Sequence, residues 1–348
     1  MDKLYKLIDK LEREQTLKVE EYEAIINGKT AQLLEYVKTK ADAVRQKVYG
    51  NEVFIRGLIE VSNYCLNDCY YCGIRKSNRN CERYSLGKSE ILECCKEGYA
   101  LGFRTFVLQG GEGVLKIDLI CDTVREIKRQ YPDCAVTLSL GEYSCDEYKK
   151  MREAGADRYL LRHETADSAH YEKLHPKLMS FDNRIRCLND LKRLGFQVGC
   201  GFMVGSPYQT AKTLAKDLKF IEEFSPDMCG VGPYITHKDT PFSTHPSGTL
   251  EDTLFLLSLI RLIKPNILLP STTALGTIDK EGREKGILHG ANVVMPNLSP
   301  KSVRKKYELY NGKISTDLES AGHIEELKNK MESIGFKIVT SRGDIKKI

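Results

Sequence analysis

The chain has 348 residues, 29% of them charged and 41% hydrophobic, with a formal net charge of +5. That balance supports a folded core and excludes an extended disordered chain. No stretch interleaves clustered Lys or Arg with aromatics, so no nucleic-acid partner is expected; the longest apolar runs, such as Leu254 to Ile260, fall well short of the roughly 18 residues that cross a bilayer, so no membrane partner is expected either.

In chain order, residues 1–50 read as a helical N-terminal extension. Its opening, MDKLYKLIDKLEREQTLKVEEYEAII, is amphipathic and mixes acidic with basic residues. A secretory leader has an apolar centre instead, so a cytoplasmic location is expected. Beyond residue 50, β-like runs alternate with helical patterns. Strands are expected at 54–62, 105–109, 135–140, 158–164, 197–205, 228–235, 266–272 and 292–297. Between them lie SEILECCKEGYALG, LICDTVREIKRQ, CDEYKKMREAG, NRIRCLNDLKRLG, KTLAKDLKFIEEF and LEDTLFLLSLIRLI, most ending near Gly or Pro as helices do. Eight strand-helix units in about 250 residues with near-continuous apolar strands imply an α/β fold, a closed (β/α)8 barrel of the TIM type over residues 51–310. Residues 311–348 form a C-terminal extension whose apolar run FKIVT is expected to pack beneath the barrel. No linker divides the chain, and an even spread of charge points to a monomer.

The twelve cysteines all lie between Cys65 and Cys229. Disulfides do not persist in a reducing compartment, so these sulfurs are core residues or ligands. Cys134, Cys187, Cys200 and Cys229 sit singly in apolar or helical patterns and read as small buried hydrophobes. Cys94 and Cys95 are helix neighbours that point to different sides. The stretch CLNDCYYCG, Cys65 to Gly73, is different: it follows the first strand directly and places Cys65, Cys69 and Cys72 in one loop. A structural zinc site closes with four protein ligands, and a disulfide would leave one sulfur over. A 4Fe-4S cluster held by three cysteines keeps one iron open. A zinc site completed by Cys81 or a histidine is the competing reading.

In such barrels chemistry gathers at the carboxyl ends of the strands. Those ends carry SNYC, QGGE, SLGE, RHETA, GSP, GPYITHKDT, STTALGT and MPN. Loops are polar in any case, but Arg162, His163 and Glu164 in succession, and Glu112 behind two glycines, are more charge than a turn requires.

The spacing CxxxCxxC, with Tyr71 before the last cysteine, resembles the radical S-adenosylmethionine (SAM) superfamily. The resemblance implies one 4Fe-4S cluster on Cys65, Cys69 and Cys72, with SAM chelating the open iron. It implies that Gly110, Gly111 and Glu112 meet the SAM ammonium, that Arg184 in FDNRIRC meets its carboxylate, and that Glu164 meets the ribose diol. Tyr71 and Met295 would flank adenine. The strings RGLIEVSNYCLNDCYYCGIRKSNRNCERY, VTLSLGE, AGADRYLLRHETA, MVGSPYQT, VGPYITHKDTP, TTALGT and NVVMPNLSP are similar, in that order, to the HydE family of FeFe-hydrogenase maturases, from residue 56 to about 310. That likeness implies radical attack on a cysteine-bound iron carbonyl cyanide complex during assembly of the hydrogenase two-iron subcluster. An anionic complex calls for cations and hydroxyls, for which Arg162, His163, His237, Ser271, Thr272 and Thr273 are strand-end candidates, with Tyr307 near the cavity. Partners implied are a ferredoxin or flavodoxin as electron donor and transient contacts with other maturases. No cysteine follows Cys229, so the second, C-terminal cluster of some family members is not expected. A methylornithine synthase-like mutase and a non-catalytic carrier of an iron complex are the alternatives.

Overall fold

A computed structural model describes residues 2–314 and 323–348. Three helices come first: α1 (Asp2–Glu14), α2 (Val19–Asn27) and α3 (Ala31–Tyr49). The α3 stripe Leu33, Val37, Ala41, Arg45 and Tyr49 recurs every fourth residue and is buried, as an amphipathic helix requires. Thr30 caps its start by accepting the Leu33 N–H at 3.1 Å, and Gly50, at φ +63°, ends it. The extension is docked rather than appended, since α2 packs on α9 (Ala211–Phe224) and α3 on α10 (Leu250–Ile263).

The strands are β1 (Glu52–Ile55), β2 (Gly57–Ser62), β3 (Thr105–Gly110), β4 (Ala135–Ser139), β5 (Arg158–Leu160), β6 (Gln197–Cys200), β7 (Met203–Val204), β8 (Met228–Cys229), β9 (Gly232–Pro233), β10 (Val293–Val294) and β11 (Lys337–Val339). Every ladder between them is parallel, in the orders β2-β3-β4-β5-β6-β8, β7-β9 and β10-β1-β11. Single parallel bridges, Leu58 to Asn297, Met228 to Leu268 and Pro270 to Val293, close the ring. The closed (β/α)8 barrel is therefore present, with irregular staves.

Three expected strands are interrupted. The first breaks at Arg56, because β1 pairs with β10 and β11 while β2 pairs with β3. The fifth and sixth break at Gly201 and Gly230, which approach so closely that a Cβ on Gly201 would stand 2.1 Å from the Gly230 carbonyl oxygen. The run 266–272 contributes only the Leu268 and Pro270 bridges, and a proline lacks the N–H a regular ladder needs.

Outside the ring lie α4 (Lys88–Ala100), α5 (Ile117–Gln130), α6 (Cys145–Glu153), α7 (Ser168–Leu174), α8 (Phe181–Arg193), α9, α10, α11 (Thr273–Ile278), α12 (Gly282–Leu288), α13 (Lys301–Arg304) and α14 (Ile324–Ser333). Helix α10 is buried continuously from Thr253 to Ile263 because α1, α3, α9 and α12 all pack on it. That explains its apolar sequence, and no helix among the described residues is long and apolar enough to cross a membrane.

The run FKIVT does not merely pack beneath the barrel: β11 extends the sheet by pairing with β1 in register Val53 to Ile338. Behind it the chain end plugs the barrel floor. Buried Arg158 donates to the Arg342 carbonyl at 2.7 Å and to Asp344 Oδ1 at 2.5 Å, and Thr105 Oγ1 donates to the same carbonyl at 2.8 Å. Residues 315–322 of the expected C-terminal extension lie outside the described residues.

Candidate functional site

The loop that follows β2 carries Cys65, Cys69 and Cys72, and buried polar groups fix its path. Asn63 Nδ2 donates to the Glu82 and Lys306 carbonyls at 2.8 and 2.7 Å. The Arg83 guanidinium donates to four carbonyls, those of Asn63, Ile74, Arg75 and Asn78, at 2.5 to 3.2 Å. Asp68 accepts from Arg75 Nε at 2.7 Å and from the Ser77 amide at 3.0 Å. A loop without regular secondary structure is thereby held in one shape. Sequence reasoning overlooked Arg83, whose role appears only once these carbonyls are seen to converge.

All three thiols are free and half-buried. Burial first, then the neighbouring Cys72 and Cys65, pushes the Cys69 thiol well up. Burial, then Cys65, pushes Cys72 up to about 12, and burial raises Cys65. Three sulfurs that oppose one another's ionisation need added positive charge before all can be thiolates, which bound iron supplies. No three His, Cys, Asp or Glu side chains among the described residues converge tightly enough for a single metal ion. The donor set fits a 4Fe-4S cluster by its chemistry, three free thiols on one loop that can each ligate as a thiolate.

The end of β3 meets this loop. The Glu112 amide approaches Cys65 Sγ at 3.4 Å, and a Cβ on Gly111 would lie 1.9 Å from the Tyr64 carbonyl oxygen and 2.9 Å from Cys65 Cβ. Only glycine permits that approach. The Glu112 carboxylate faces Arg184 of α8, Oε2 to Nη2 at 3.3 Å. Arg184 is also ion-paired with Glu142, Nε to Oε1 at 2.7 Å, although the N–H is not aimed at the oxygen. Glu142 follows Gly141, which takes φ +92° and would place a Cβ 1.8 Å from Glu112 Cγ. Burial raises the Glu142 carboxyl, Arg184 opposes that, and Glu112 adds to it. Arg184 is thus a buried cation between two acids. The expectation of a cationic Arg184 beside Glu112 came from family likeness; Glu142, seen in the sequence only as a strand-end residue, completes the clamp.

At the end of β5 the chain turns sharply. Glu164 is left-handed, φ +64°, a strained conformation outside glycine. Its amide donates to the Gly201 carbonyl at 3.0 Å, and its carboxylate lies 3.1 Å from Arg162 Nη2. Neither Arg162 Nε and Nη2 nor Glu164 Oε2, all buried, has an aligned hydrogen-bond partner. His163, between them, turns away from both towards α9. It is fully buried with Asp217 of α9 at 3.3 Å and packs on Phe202 and Phe220. Its Nδ1 accepts the Gly201 amide, so Nε2 carries the proton towards Asp217. His163, expected in the cavity, is a structural link between strand and helix.

Tyr71 is held by His175, a residue that sequence reasoning did not single out. His175 Nδ1 lies 2.9 Å from the Tyr171 carbonyl and so carries the proton; Nε2 accepts the Tyr71 hydroxyl at 3.0 Å. Burial depresses His175 to about 3, keeping it neutral. Tyr71 packs with Leu174, Met203, Tyr234 and Phe242, whereas Met295 packs with Tyr49, Phe54, Met228, Leu268 and Val293. Tyr307 is buried, its hydroxyl 3.4 Å from Gln109 Nε2 at the end of β3. Thr272 Oγ1 is buried without a partner and faces Gly232; Thr273 opens α11.

Two other candidates fall away from the barrel mouth. Ser271 turns outward, donating to the Arg283 carbonyl at 2.9 Å and packing against Gly286 of α12. His237 lines a surface pocket instead, where its Nδ1 accepts the Asp239 amide at 3.1 Å in a local turn.

With this geometry in place, the chain compares closely with known proteins. The sequence model of the radical SAM superfamily matches residues 59–221. The chain is 45% identical to the [FeFe] hydrogenase maturase subunit HydE of Thermotoga maritima over 298 residues, 85% of each chain. It is 28% identical to 3-methylornithine synthase of Methanosarcina acetivorans, over 90% of this chain and 88% of that one. The crystal structure of methylornithine synthase superposes with a TM-score of 0.82 at 26% identity, covering 96% of this chain and 97% of that one.

Proposed function

The chain belongs to the HydE family of FeFe-hydrogenase maturases within the radical SAM superfamily, and on that premise we propose that it acts on a cysteine-bound iron carbonyl cyanide precursor of the hydrogenase two-iron subcluster. It is a radical SAM enzyme whose cofactors are a 4Fe-4S cluster on three cysteines and SAM. When bound, they supply one-electron cleavage of the sulfonium to methionine and a 5'-deoxyadenosyl radical.

The observation that carries the assignment of residues is the junction at Glu112, whose amide touches Cys65 Sγ while its carboxylate faces Arg184. Cys65, Cys69 and Cys72 hold the cluster. The backbone at Gly110 and Gly111 and the Glu112 carboxylate receive the SAM ammonium, and Arg184 pairs with the SAM carboxylate. Glu142 positions Arg184 from its far side. Glu164, already strained and half-paired, takes the ribose diol, and its exchange of Arg162 for that diol leaves a cation in the cavity. Tyr71, oriented by His175, offers its ring to adenine, whereas Met295, packed with Tyr49 and Phe54 beside the chain end, is withdrawn from the expected pair. Arg162, Thr272, Thr273 and Tyr307 face the substrate; His163, Ser271 and His237 are withdrawn from that role. The barrel wall and its plugged floor exclude water from the radical. A reducing cytoplasm suits twelve free cysteines.

The test is anaerobic incubation of reconstituted protein with dithionite and SAM, with 5'-deoxyadenosine quantified, beside a Cys65→Ala/Cys69→Ala/Cys72→Ala variant. Cluster-dependent product, accelerated by the iron complex and not by ornithine-type amino acids, is expected. Acceleration by the amino acids alone would favour mutase chemistry. A full cluster that releases no product with the iron complex present would leave a carrier.

A further inference from the structure

Cleavage of the sulfonium consumes one electron, which a donor outside this chain must deliver. Two segments, RKSNRNCER (75–83) and KSVRKK (301–306), carry eight basic side chains against one acid, in a chain whose net charge is only +5; Arg75 is paired with Asp68 and Arg83 is turned into the loop, which leaves the other six to set the charge of the face. The fold brings them together around a surface pocket of about 450 Å³. Its lining carries Lys238, Lys301, Lys305 and Lys306 against Glu82, Asp239 and Glu308, and Lys306 is ion-paired with Glu82.

The pocket reaches the residue next to a cluster ligand. A Cβ on Gly73 would stand 2.4 Å from His237 Cδ2 and 2.2 Å from the Glu308 carbonyl oxygen, so glycine lets the pocket wall close directly on the backbone beyond Cys72. Asn78 Nδ2 donates to the Gly73 carbonyl at 2.6 Å, and the Gly73 amide donates to the Leu309 carbonyl at 2.8 Å, which fixes that wall. His237, Lys238 and Asp239 of this lining come from the segment after β9, and Lys301, Lys305 and Lys306 from α13 and the turn after it. Arg79, Lys238 and Lys305 are exposed on the rim.

We propose that this basic face is the docking surface for a small acidic one-electron carrier protein, seated over the Gly73 pocket so that its redox centre lies beside the Cys72 side of the cluster. The inference rests on the radical reading above. One electron leaves the carrier, reduces the cluster and is consumed in breaking the sulfonium carbon-sulfur bond; no proton moves. Opposite charge on the two surfaces steers encounter and sets register, and both effects weaken with salt.

The experiment compares holoprotein with an Arg79→Glu/Lys238→Glu/Lys305→Glu variant. Binding of oxidised flavodoxin, an acidic flavoprotein, is measured by titration calorimetry at two salt concentrations. Product formation is then driven either by reduced flavodoxin or by dithionite, which needs no docking surface. Native protein should bind flavodoxin in a salt-sensitive manner, the reversed variant about tenfold or more weakly, and dithionite-driven product should be equal in both. An Arg79→Gln/Lys238→Gln/Lys305→Gln variant should fall between them, and serves if the reversed one misfolds. Equal binding by native and variant proteins, or no binding by the native protein, would overturn the proposal. Charge-dependent binding without dithionite-driven product would keep the surface and remove the radical reading instead.

Discussion

Arg184 Nη2 lies 3.3 Å from Glu112 Oε2, joining the first turn of α8 to the loop just after β3 across 72 residues of sequence. The contact places a buried cation beside the loop that holds Cys65, and Glu142 braces it from the other side at 2.7 Å.

Arg184→Leu should therefore weaken SAM binding by about 10- to 100-fold, the worth of a charge-assisted hydrogen bond, while iron content stays unchanged. Arg184→Lys keeps the charge without the planar fork and should recover part of the affinity. Equilibrium dialysis with SAM against reconstituted protein measures both. Unchanged SAM affinity in Arg184→Leu would remove Arg184 from the carboxylate site.

Gly111→Ala forces a Cβ to within 1.9 Å of the Tyr64 carbonyl oxygen. The strain, about 1–3 kcal/mol, is taken up by backbone adjoining Cys65. Cluster absorbance should bleach faster in air than in the native protein, with less iron retained. Gly87→Ala is the control, since its Cβ meets nothing nearer than Glu90 Oε2 at 3.6 Å.

His163→Leu should lower stability by about 2–3 kcal/mol by leaving the Asp217 carboxylate buried without its ring partner, a fall in Tm of about 5 °C. Product formed per bound cluster should not change. Lost product at an unaltered Tm would return His163 to the cavity.

The plugged floor makes stability depend on acid. Burial alone would raise the Asp344 carboxyl from its ordinary 3.8, but Arg158 and Arg342 override it and hold it at about 2. A carboxyl depressed in the folded state contributes stability above its unfolded pKa and loses it as pH falls through the folded one. That contribution is complete above about pH 4 and disappears towards pH 2. Solvent screens the 39% exposed carboxylate, so Asp344→Asn should cost only about 1 kcal/mol at neutral pH and show a shallower decline between pH 4 and 2 in denaturant titrations.

Sequence by itself determined the alternation of strands and helices, the cluster loop and the family, because hydrophobic period, cysteine spacing and strand-end motifs are local patterns that survive without coordinates. It also marked Arg162, His163 and Glu164 as more charge in succession than a turn requires, and the structure pairs Arg162 with Glu164. His163 was grouped with them because nothing local separates three successive polar residues; its buried partner Asp217 lies 54 residues away on α9. Ser271 was misplaced for a related reason: in a stave reduced to two bridges, no ladder fixes which side chains face in. Tertiary structure alone decided the partners separated in sequence. Glu142 against Arg184, His175 against Tyr71, Arg83 among four loop carbonyls and Asp344 under Arg158 each join residues that no period or spacing relates. Such contacts depend on how helices and loops close over the barrel, where burial requires that each polar group find whichever partner the packing brings within reach.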